Sequence, residues 1–181
     1  MDQNWSKKLN MDILNNIFDK LSPLDLHRLG LTSIKYDYPI KSRSGDKPRF
    51  WQNDVSHIGL QSSALDFIIP HPLEKGSLPI YMPADGTIVE IVQNNDKWGG
   101  RDFERYLNQL VAITENGEYF RIAHIRKNSC EFSVGSNIKQ GIQIAETGVN
   151  GWMTDPRHSH FEVGIVIAGQ RKTLKIRWSG F

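Results

Sequence analysis

At 181 residues and 20.7 kDa, the chain is long enough for one ordinary hydrophobic core with a small appendage. A hydrophobic fraction of 39% against 23% charged residues excludes a disordered composition, and a formal charge of +2 argues for no nucleic-acid partner, the basic runs at Lys7-Lys8, Lys41 to Arg49 and Arg171 to Lys175 reading as solvated surface. Cys130 stands alone, which excludes an intrachain disulfide and a thiolate zinc site, and no apolar run approaches the roughly 20 residues of a membrane helix.

The opening Met1-Asp2-Gln3-Asn4-Trp5-Ser6-Lys7-Lys8 lacks the apolar stretch of a signal peptide, so the expectation is a cytoplasmic protein or one exported by a route the sequence does not display. Residues 9 to 31 carry helical periodicity, with Leu14, Ile17, Phe18 and Leu21 on one stripe. Ser22, Pro23 and Asp25 mark the start of a second short helix presenting Leu24, Leu26, Leu29 and Leu31, with Gly30 near its end. Residues 1–36 are therefore expected to form an N-terminal helical appendage. The pattern then dissolves into Pro, Gly, Ser and charge, a connecting segment over 37–53.

Residues 54–181 read as strands. Ala64 to Ile69, Thr87 to Val92, Leu110 to Thr114, Tyr119 to Ala123 and Phe161 to Ile167 are short, apolar and separated by turn-formers, of which Asn116-Gly117 is the strongest hairpin signal. No helical segments recur between them, so the fold class expected is mainly β, a small antiparallel sheet domain. Residues 94 to 109 form a polar, glycine-containing insertion, a plausible groove rim with Trp98, Phe103 and Tyr106 as contacts or as covers of the core edge.

On a strand, His158 and His160 of His158-Ser159-His160 point to one face while Ser159 and Phe161 point to the other, delivering two imidazoles within about 7 Å. Asp66 is an acid inside an otherwise apolar strand, where a lone carboxylate needs a compensating cation or hydrogen bonds. His124 ends another strand and reaches the same face, and His57 precedes Asp66 by nine residues. Two histidines and an aspartate suit a catalytic zinc, which keeps one position for water. Spacing leaves the ordinary readings open as well: surface imidazoles on a strand, a loop histidine, an aspartate capping a turn. His27 and His71 read as structural or surface residues.

The order of these landmarks resembles the LytM or lysostaphin-like zinc metallopeptidases, the M23 peptidase family, over residues 50 to 168. The resemblance rests on His57 with Ala64-Leu65-Asp66-Phe67, on Pro79 to Val89 containing Ala84-Asp85-Gly86, on Glu118 to Ile125 ending in Ala123-His124, on Val134 to Gly148, and on His158-Ser159-His160-Phe161-Glu162-Val163. It implies a duplicated hybrid motif type of fold, one zinc ion held by His57, Asp66 and His160, and His124 and His158 as the catalytic pair that does not bind the metal. It also implies hydrolysis of peptide bonds in the stems or crossbridges of bacterial peptidoglycan, in a family that usually acts in the periplasm or outside the cell. The alternative is a catalytically inactive scaffold of the same fold that binds cell-wall fragments or a protein. Many members place the first ligand histidine four residues before the aspartate, where this chain has Ser62. Residues 11 to 36 are in addition similar to the helical opening of an F-box, which implies a protein partner for the N-terminal helices.

Overall fold

The computed structural model describes residues 20–40, 49–51, 57, 59, 62–69, 77–153 and 158–179. The expected first helix lies outside them up to residue 19. The second helix forms as α1, Pro23–Arg28. Ser22 Oγ accepts the Asp25 backbone N–H at 3.2 Å and donates to the Asp25 carboxylate at 2.6 Å, a reciprocal cap in front of a proline that needs no helical partner. Of the leucines expected on this helix, Leu26 is buried, whereas Leu24 and Leu29 are exposed.

Gly30, at φ +73°, stops the helix, and the chain turns into β1, Leu31–Tyr36. This corrects the expectation of helix through residue 36. Thr32, Ile34 and Tyr36 are β-branched or aromatic at alternate positions, a pattern suited to a pleated surface. The F-box-like helical reading therefore finds no support in 31–36. Tyr36 and Ile40 are core residues, so the segment expected to connect begins inside the core.

The remaining strands follow in order: β2 Phe50–Trp51, β3 Leu65–Ile68, β4 Pro79–Tyr81, β5 Gly86–Val92, β6 Trp98–Gly99, β7 Gln109–Ile113, β8 Tyr119–Ala123, β9 Asn137–Ile138, β10 Gln143–Glu146, β11 Gly151–Trp152, β12 His158–Ile167, β13 Gln170–Thr173 and β14 Lys175–Trp178. The large sheet runs β2-β3-β12-β8-β7-β5-β9, with β13 on the far half of β12, and every pairing in it is antiparallel. The expected antiparallel, mainly β architecture is thus what forms. The hairpin at Asn116-Gly117 closes with Gly117 at φ +76° and a Thr114–Glu118 backbone bond of 2.9 Å.

Two smaller ladders complete the core. β1 runs parallel to β14, and β4 runs antiparallel to β10. Tyr36, Ile80 and Ile144 from these ladders, with Met82 just after β4, pack with Phe67, Phe120, Ile122, Phe161 and Val163 of the large sheet. Aromatic edges interlock there: Tyr36 meets Phe120 edge-on at 6.2 Å, and Tyr38 stacks on Trp178 at 4.3 Å. The core thus anchors one face of β3, β8 and β12 and leaves the alternate side chains of those strands to build a site.

Candidate metal centre

β12 lies between β3 and β8, and its register puts His160 directly opposite Asp66 and His158 opposite Ile68. Ser159, Phe161 and Val163 are buried beneath, as strand alternation requires. His160 Nδ1 is 3.2 Å from Asp66 Oδ1, His57 Nε2 is 3.4 Å from the same oxygen, and the two nitrogens are 3.1 Å apart.

These three atoms form a closed triangle. At most two ring protons are available and an aspartate supplies none, so hydrogen bonds satisfy no more than two edges at once. Tetrahedral zinc with bonds of about 2.0–2.1 Å would separate its donors by about 3.3–3.4 Å. The donor set fits such an ion in both spacing and chemistry, and the three residues leave a fourth position open. His57 Nδ1 is buried and has no hydrogen-bond partner among the described residues.

Burial alone would raise the Asp66 carboxyl, but hydrogen bonds from His160 and His57 and the charge of His158 and His160 outweigh it and hold the group well below the usual carboxylate range. For His160, burial works to lower the pKa, whereas hydrogen bonds to Asp66 and Glu162 raise it above the ordinary value. Glu162 shares the face of β12 that carries His158 and His160, with Oε2 3.1 Å from His160 Nε2 and 3.8 Å from Arg121 Nη1 on the neighbouring strand. A carboxylate on the outer nitrogen of a ligating imidazole fixes ring orientation and raises ligand basicity.

The other two histidines stand beside the triangle. His158 Nε2 is 3.9 Å from Asp66 Oδ1, and its ring meets that of His124 edge-on, with centroids 4.9 Å apart. His124 Nδ1 is 2.8 Å from the carbonyl oxygen of Asn150. A carbonyl only accepts, so Nδ1 carries the hydrogen and Nε2 the lone pair. Burial, reinforced by His158, pushes the His124 pKa down to about 3, so the ring is neutral at ordinary pH.

All five residues expected from the sequence, His57, Asp66, His124, His158 and His160, therefore meet at one site. The side chain of His27 and the whole of His71 lie outside the described residues. In the expected rim, β6 pairs in parallel with β11 and a 3₁₀ helix follows over Arg101–Tyr106. Trp98 and Trp152 are exposed there, Arg101 lies over the Trp152 ring, and Lys97 and Arg105 flank Tyr106.

No family model matches the sequence, and no curated protein does. Solved structures match it. A Ruminococcus gnavus ATCC 29149 protein assigned as the glycyl-glycine endopeptidase lytM superposes with a TM-score of 0.54 at 19% identity, over 76% of this chain and 56% of that one. The M23 metalloprotease pseudoalterin, from the deep sea, gives 0.51 at 11% identity, over 79% of this chain and 96% of that one. This chain has the M23 peptidase fold. A zinc-containing peptidase from Vibrio cholerae aligns over 78% of this chain at 18% identity with a TM-score of 0.49. The chain spans 40% of that protein's length and 56% of the Ruminococcus protein's.

Within the M23-like fold, three residues of the site environment were not singled out from the sequence. Glu162 has a sequence signal, because an acid two positions after His160 on a strand shares its face. Asn108 and Asn150 carried no such signal. Each sits beside a short irregular segment, and only the folded chain brings them to His124.

Proposed function

We propose that this protein is a zinc-dependent endopeptidase of the lysostaphin-like, duplicated hybrid motif class, acting on the peptide stems or crossbridges of bacterial peptidoglycan. The observation that carries the reading is the donor triangle of His57 Nε2, Asp66 Oδ1 and His160 Nδ1 with two imidazoles beside it. The peptide substrate is supported by the shared fold and by the glycyl-glycine endopeptidase assignment of one structural relative.

When bound by the three donors, zinc supplies a Lewis acid that polarises a scissile carbonyl and acidifies water. His124, neutral and with its lone pair on Nε2, accepts a hydrogen bond from the attacking water and orients it, a role that suits an imidazole held in one tautomer. His158 lies between His124 and Asp66, where it takes the proton that the attacking water gives up and passes it to the departing amine. Glu162 holds the His160 ring in place through Nε2. Trp98 and Trp152, with the cations around them, would line the approach of an extended peptide.

Metal analysis of the purified chain, run beside digestion of purified muropeptides with and without chelator, tests the proposal. The expected result is about one zinc per chain and internal cleavage that chelation abolishes. Zinc without hydrolysis would instead leave a binding scaffold, and release of a terminal residue alone would mean a carboxypeptidase.

A further inference from the structure

His124 has a backbone that a non-glycine residue rarely adopts, with φ +62°. Such a conformation persists only where its surroundings over-determine it. Two asparagines do so, Asn108 and Asn150, at 0% and 1% exposure. The His124 N–H donates to the Asn108 carbonyl at 2.9 Å, and His124 Nδ1 donates to the Asn150 carbonyl at 2.8 Å. The side chains then lock the two main chains together. The Asn108 N–H donates to Asn150 Oδ1 at 2.8 Å, while Asn150 Nδ2 and Asn108 Nδ2 both donate to the carbonyl of Ile125, at 2.7 and 3.2 Å. Asn108 also exchanges both amide bonds with Asn95, at 3.0 and 2.8 Å, at the start of the insertion.

Only a short side chain with a donor and an acceptor closes this ring of buried backbone groups. The insertion is itself tightly seated. A Cβ at Gly99 would stand 2.6 Å from the Phe103 ring, and one at Gly151, whose φ is +72°, would stand 2.9 Å from Leu107 Cα. The wall over 94–109 and the backbone of His124 are thus held by one set of bonds.

We propose that Asn108 and Asn150 are positioning residues, a paired-amide clamp that holds His124 in its left-handed backbone and fixes its ring with the hydrogen on Nδ1. The clamp makes the insertion part of the apparatus that aims the His124 Nε2 lone pair. Its activity readout rests on the proposed peptidase reading, and its spectroscopic readout does not.

The test is ¹⁵N imidazole NMR on the zinc-loaded full chain, combined with kcat, KM and zinc stoichiometry. The wild type should show His124 in the Nδ1–H form. Asn108→Ala should mix the two tautomers and lower kcat by about 10- to 100-fold, the range seen when residues behind a catalytic or ligating ring are lost, with KM and zinc unchanged. Should that variant fail to fold, Asn150→Asp keeps the acceptor for the Asn108 N–H, removes the donor to Ile125, and should shift the tautomer in the same direction by less. An Nε2–H tautomer in the wild type overturns the proposal. So does a folded variant that keeps the Nδ1–H signal, or one that keeps full kcat in an active enzyme. A tautomer shift in a protein that hydrolyses nothing upholds the clamp and removes the peptidase reading; hydrolysis with an unmoved tautomer does the reverse.

Discussion

Asp66 is the carboxylate on which three imidazoles converge: His57 at 3.4 Å, His160 at 3.2 Å and His158 at 3.9 Å. A buried carboxylate left uncompensated is costly, and ring protons satisfy only part of the triangle, which leaves an edge that a bound cation would satisfy. Asp66→Ala is therefore expected to abolish stoichiometric zinc in metal analysis; a variant that retains about one ion per chain would show that the aspartate is no ligand. His158→Ala should keep its zinc and lose about 10²- to 10⁴-fold in kcat, the span of a single acid–base group, and unchanged turnover would remove it from the mechanism. Glu162 acts one step back, on the outer nitrogen of His160 at 3.1 Å. Glu162→Gln should weaken zinc binding by about 10- to 100-fold in a chelator-competition titration while the ion still binds, and an unchanged Kd would reduce Glu162 to a partner of Arg121.

At the scale of elements, β12 shows why much of the site could be read in advance. Its side chains alternate from His158 to Phe161, so His158 and His160 necessarily share a face while Ser159 between them and Phe161 beyond turn inward. A short apolar run marks β3 around Asp66, and the turn chemistry of Asn116-Gly117 marks the β7–β8 hairpin. What could not be read is non-local. β1 follows a leucine-rich helix and carries only six residues of strand pattern, and its partner β14 is at the opposite end of the chain, so neither shows its pairing to a local window. β4 and β10 are hidden for the same reason, since each pairs with the other from far away in sequence, whereas β13 folds back on its neighbour β12. The structure gives β1 a definite share of the fold. Thr32 Oγ1 accepts the Arg177 N–H at 2.9 Å, and Leu26 and Tyr36 are fully buried. A chain beginning at residue 37 should therefore lose its cooperative unfolding transition or show a much lower Tm in calorimetry. An unaltered transition would mean that residues 1–36 are a separable appendage.

Across the whole molecule, Tyr36 ties the β1–β14 ladder to the β7–β8 hairpin, because its hydroxyl donates to Glu118 Oε2 at 2.8 Å inside the core. Burial, reinforced by the Glu118 charge, pushes the phenol far above its ordinary value near 10. Burial and the nearby Glu162 charge raise Tyr119 as well. The folded state therefore keeps the Tyr36 proton at a pH where the unfolded chain releases it. The stabilisation is complete below about pH 10 and declines as the pH rises further, since the native state then binds one more proton than the unfolded state. The slope for Tyr36 is about 1.4 kcal/mol per pH unit. Tyr36→Phe should lower stability near neutrality, because Glu118 loses a buried donor, yet flatten the alkaline decline by that amount. Urea unfolding at several values between about pH 10.5 and 12 separates the two effects. Parallel stability curves for wild type and variant would show that the phenol ionises without opening the fold, and that the two ladders are held together by apolar packing alone.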